Sequence, residues 1–166
     1  MTDFEAALRA KLDRNAEIAA TREAAEAEMD RAKAEREEAE RRQADELVAR
    51  RNARHAELAE HLAAVAAQLK AAAPDDFVVR TGWTESGEEF IAKISSRRLA
   101  PARSLLVELD RDDDEVLARW VSDVGSKLEL WRLLEVEPAV ITSMVLQVAD
   151  QDLWRNADQP PSFPKS

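Results

Sequence analysis

From Met1 to Ala73 the chain contains neither glycine nor proline. Nothing in that stretch ends a helix, and its residues are mostly the best helix formers: 24 alanines, with glutamate and arginine making up most of the rest. It reads as one long helix, about 105 Å if unbroken at ~1.5 Å per residue. Thr2-x-x-Glu5 has the pattern of a capping box at its start. Pro74, followed by Asp75 and Asp76, ends it, because proline disfavours a helical residue before it and cannot donate a helical hydrogen bond.

The apolar pattern of this helix changes along its length. Leu58, Leu62, Val65, Leu69 and Ala72 recur at spacings of four and three, the a/d stripe of a coiled coil. Phe4, Leu8 and Leu12 form a second apolar patch near the start. Between Thr21 and Glu57 only Met29, Leu47 and Val48 are large and apolar. Charges at i,i+4 fill that interval, among them Glu37–Arg41, Glu38–Arg42, Glu46–Arg50, Arg31–Glu35 and Lys33–Glu37. Such pairs support an exposed helix by roughly 0.2–0.5 kcal/mol each. Exposed apolar stripes usually have a partner. A coiled-coil oligomer is therefore expected, a homodimer first, with Leu58, Leu62, Val65, Leu69, Phe4 and Leu8 in its seam; packing of the Leu58–Leu69 stripe on the chain's own C-terminal half is the alternative.

All three glycines, all six prolines and all four tryptophans lie beyond residue 73. There the periodicity becomes that of strands. Phe77–Thr81 and Glu89–Ile94 read as a hairpin, with Trp83 in the turn between them. Residues 95–103 read as a loop and Ser104–Leu109 as a third strand. Residues 114–122 suit either a strand or a short helix, and their β-branched and aromatic content favours strand. Leu128–Val136 reads as a strand, and Pro138 sits where a helix prefers its first residue, opening a helix to about Trp154. The expected fold is α+β: a long coiled-coil-type helix over 1–73, a small antiparallel sheet covered by one helix over 74–158, and a proline-rich tail over 159–166.

Composition narrows the function. The formal charge is −10, which argues against nucleic acid and anionic membrane surfaces. No apolar run approaches the ~20 residues of a membrane span, and the first residues do not resemble a signal peptide, so a cytoplasmic protein is expected. Without cysteine there is no disulfide, thiolate nucleophile or sulfur-based metal site. Asp110, Asp112 and Asp114 alternate like the first ligands of a calcium loop, but Glu115 and Val121 stand where that loop needs Gly and Glu. His55 and His61 fall on the charged helix, where they read as surface or seam residues. Arg41, Arg42, Arg50, Arg51 and Arg54 are largely neutralised by nearby acids, whereas Arg97, Arg98 and Arg103 have few acids close in sequence.

These three arginines and Trp83 are the candidates for contact with a partner. No cofactor is expected, and no arrangement of nucleophile and base points to an enzyme. The expected role is a non-enzymatic structural or interaction protein, an oligomer presenting its C-terminal domain to a protein partner in an assembly, adaptor or scaffold. The alternative is a regulatory module whose C-terminal domain holds a small ligand or peptide. The preference for arginine over lysine and the heavy alanine use suggest a GC-rich genome, bacterial or phage.

Overall fold

The computed structural model describes residues 2–165. Its elements run in the order α1 (Asp3–Ala72), β1 (Phe77–Trp83), β2 (Glu89–Ser96), β3 (Arg103–Asp110), β4 (Glu115–Ser122), β5 (Gly125–Trp131), a 3-10 turn (Leu133–Glu135), α2 (Pro138–Ala149) and α3 (Gln151–Trp154). The fold is α+β, as expected. At the start of α1 the Glu5 amide donates to Thr2 Oγ1 at 3.2 Å, satisfying one of the helix's free amides.

The chain divides into two compact units, and the division falls inside α1, between Leu47 and Val48. In the first unit nearly every residue of α1 is exposed. Of the i,i+4 pairs named above only Lys33–Glu37 comes within ion-pair distance, at 4.0 Å; Arg14–Glu17 and Glu28–Arg31 pair at i,i+3. All are exposed, so each adds little.

The second unit, residues 48–166, holds the sheet. Its five strands form an antiparallel meander in the order β1-β2-β3-β4-β5. Burial in β3 alternates residue by residue, with Leu105, Val107 and Leu109 inward. The last third of α1 and helix α2 pack against the same side, so one core joins Leu58, Leu62 and Ala66 to Phe90, Ile94, Leu105, Trp120, Ile141, Met144 and Trp154. Arg54 of α1 donates to the Val136 carbonyl at 2.7 Å, in the turn that leads into α2.

Residues 115–122 are a strand, as their β-branched and aromatic content favours. Several boundaries differ from the sequence reading, each for a local reason. Trp83 is the last residue of β1, paired with Phe90, and not a turn residue. The strand expected over 128–136 stops at Trp131, because the Leu133 amide bonds to Asp114 Oδ1 at 3.1 Å and the chain turns inward there. The helix expected to reach Trp154 breaks at Asp150, whose carboxylate accepts the Leu153 amide and caps the separate turn α3. The C-terminal segment is packed: Phe163 stacks on Trp120 with ring centroids 5.5 Å apart and planes 4° apart.

Candidate functional site

The antiparallel register sorts the strand residues onto two faces. One is the covered face just described. Among the described residues of 48–166, the side chains of the other face are exposed or half-buried, none fully buried. The ladders align its residues in rows across the strands: Val78–Ser95–Ser104–Val121–Ser126, then Arg80–Lys93–Leu106–Arg119–Leu128, then Gly82–Ile91–Glu108–Leu117–Leu130, then Glu89–Asp110–Glu115.

Apolar residues are concentrated toward β3, β4 and β5. Val121, Leu128 and Leu130 are 52, 47 and 51 % exposed; Leu106, Leu117 and Ile91 beside them are half-buried by their neighbours. Arg80, Lys93 and Arg119 are exposed. None of these three lies within 4.0 Å of a carboxylate among the described residues, and neither do Glu89, Glu108 and Glu115 lie so near a base. Partial burial holds the Glu89 carboxyl above its ordinary range, and the carboxylates of Glu108 and Asp110 push it further the same way. At the adjoining turn Glu88 is raised mainly by a hydrogen bond shared with Asp112, which is lowered by the same bond. The face thus carries apolar side chains interleaved with the basic row, Leu106 and Leu128 within it and Val121 beyond it, with Ile91, Leu117 and Leu130 separating that row from the carboxylates of Glu89 and Glu115.

The residues singled out in the sequence fall in different places. Leu58 and Leu62 are fully buried against this chain's own sheet, with Val65 and Leu69 partly buried on the same core. This corrects their reading as an oligomer seam: the partner of that stripe is intramolecular. Phe4 and Leu8, in the other unit, stay exposed, at 72 and 44 %.

Arg103 is also corrected. It is 2 % exposed, with Nε donating to the Val148 carbonyl at 3.0 Å and Nη1 to the Pro101 carbonyl at 3.0 Å and Gln151 Oε1 at 2.9 Å. Its guanidinium lies over the Trp154 ring at 5.4 Å. Burial pulls its pKa down and Asp150 offsets part of that. It is an internal brace between β3 and α2, out of reach of a partner. Arg97 and Arg98 remain exposed, Arg98 at 3.9 Å from the exposed Asp75. Trp83 is half exposed, its ring against His55 at 5.6 Å and Phe90 at 5.1 Å.

His55, read as a surface or seam residue, is buried, with Nε2 donating to the Leu109 carbonyl at 2.9 Å. His61 Nε2 lies 2.6 Å from Thr142 Oγ1. The acidic turn is held by its own residues. Asp110 Oδ1 accepts the amides of Asp112 and Asp113, and Asp114 pairs with Arg51 at 3.3 Å and Arg132 at 3.4 Å. Among the described residues no group of three or more histidine or acidic side chains is placed to hold a metal ion.

Lys93, Arg119 and the outward leucines were missed in the sequence. The available signal was that β4 is apolar in both phases, Val116 and Trp120 in one and Leu117 and Val121 in the other. A strand with only one buried face alternates apolar and polar.

Comparison with protein-family models, with curated proteins and with solved structures finds no match to this chain. No helix among the described residues is long and apolar enough to cross a membrane.

Proposed function

We propose that this chain is a non-enzymatic structural protein that works by protein–protein contact, in an assembly, adaptor or scaffold role. The observation that carries this reading is the outward sheet face, where exposed apolar side chains are interleaved with charges of both signs that have no ionic partner within 4.0 Å among the described residues. Such a mixed patch is what protein interfaces present before they are covered. The sheet domain offers this face to a partner. Residues 3–47 of α1 supply a second contact surface, between copies of the chain, with Phe4 and Leu8 as its exposed apolar residues. A domain holding a small ligand finds less support, because the covered side of the sheet is filled by the side chains of α1, α2 and the tail.

Two full-length variants test the reading, each followed by light scattering and tryptophan fluorescence. Phe4→Asp with Leu8→Asp lowers the solution mass and leaves the fluorescence unchanged, since all four tryptophans lie in the other unit. Leu128→Asp with Leu130→Asp keeps the fold, because both side chains face outward, and also lowers the mass. An unchanged mass in both variants overturns the reading.

A further inference from the structure

Resting on that reading, we infer that the occupant of the outward sheet face is the same face of a second copy of this chain, related by a two-fold axis that runs across the strands.

The basic row, Arg80, Lys93 and Arg119, and the acidic row, Glu89, Asp110 and Glu115, lie on opposite sides of the row Ile91–Glu108–Leu117–Leu130. Successive rows on one face of a sheet are two residues apart, about 6.8 Å. Two identical faces packed together are related by an axis lying in the plane between them. An axis along the strands sets each row against itself, base on base and acid on acid. An axis across the strands reverses the strand direction and sets the basic row of one copy over the acidic row of the other. Lys93 then approaches Glu89 and Glu108 of the second copy, and Arg119 approaches Glu115. Leu117 and Leu130, in the central row, meet their equivalents on the axis, at the ~10 Å spacing and ~30° crossing of packed sheets.

Among the described residues Lys93, Arg119, Glu89 and Glu115 have no ionic partner within 4.0 Å, and that is what selects a self-complementary partner. A partner of one sign would leave the other row buried and unpaired, which costs more than its contacts return. Two copies relieve both at once, including the crowding of carboxylates around Glu89.

The test uses the full chain, half of it labelled with 15N, co-incubated and treated with a zero-length carbodiimide that joins lysine to carboxylate. Mixed-isotope cross-links from Lys93 to Glu89 or Glu108 are expected. In parallel, the variant Lys93→Glu with Arg119→Glu and the variant Glu89→Lys with Glu115→Lys each associate at least about tenfold more weakly alone, and an equimolar mixture of the two regains the original association. Absence of mixed-isotope links at Lys93 in the unaltered chain, or a mixture that stays at the mass of its parents, overturns the inference and gives the face to a different protein. The substitutions Phe4→Asp and Leu8→Asp leave the Lys93 links in place, so a failure of the arm is read separately from a failure of the face.

Discussion

At the scale of single residues, the buried polar groups act as braces. Arg103 feeds two backbone carbonyls and a glutamine from inside the core, and no carboxylate lies within 4.0 Å of it among the described residues. Removing it strands those acceptors and leaves a cavity beside Trp154. Arg103→Ala is expected to cost about 2–4 kcal/mol, read as a lower midpoint in urea unfolding followed by tryptophan fluorescence. An unchanged midpoint would contradict the brace. Glu89 works in the opposite direction. Its pKa is raised in the folded protein, by partial burial first and then by Glu108, Asp110 and Asp113. The folded state therefore holds this proton more tightly than the unfolded chain, and stability falls as pH rises from the ordinary glutamate range through the raised value. Glu89→Gln is expected to stabilise the protein near neutral pH by no more than about 0.5 kcal/mol, since the half-buried group still reaches water that screens its neighbours. The gain should vanish at a pH below the ordinary glutamate range; a gain that grows on acidification would contradict the assignment.

At the scale of elements, helix α1 does two jobs under one secondary structure. Up to Leu47 it is exposed, and from Val48 it is part of the sheet domain's core. Leu62 and Leu8 make the contrast measurable. Leu62→Ala is expected to destabilise the tryptophan-reported unfolding by about 2–4 kcal/mol, while Leu8→Ala leaves it within about 0.5 kcal/mol. Equal effects would contradict the division. The helix, its end at Pro74, four of the strands and the start of α2 at Pro138 were legible in the sequence because each is a local matter of propensity, periodicity or proline chemistry. The partner of the Leu58–Leu69 stripe was not, because an a/d pattern specifies an apolar stripe and says nothing of what covers it. Nor was the break at Asp150 within an otherwise apolar helical run, since it depends on one carboxylate turning back to cap Leu153. The candidate face was least legible of all. Its residues come from five strands, and only the register brings Lys93, Leu106, Arg119 and Leu128 into one row.

At the scale of the whole molecule, two surfaces on one chain are assigned to contact with further copies, the first turns of α1 and the outward sheet face. Two distinct homotypic contacts build an assembly larger than a dimer unless both share one two-fold axis. The charge pairs proposed between the two sheet faces are screened over the ~8–10 Å Debye length near physiological ionic strength, so association is expected to weaken as salt rises. Association that only strengthens with salt, as the −10 formal charge per chain acting alone would give, would contradict the charge pairing. The most direct measurement is sedimentation velocity of the unaltered full chain over a wide concentration range at physiological ionic strength. The account predicts species of two or more copies whose share rises with concentration. A single species at the 18.6 kDa of one chain, up to the highest concentration that stays in solution, would contradict it.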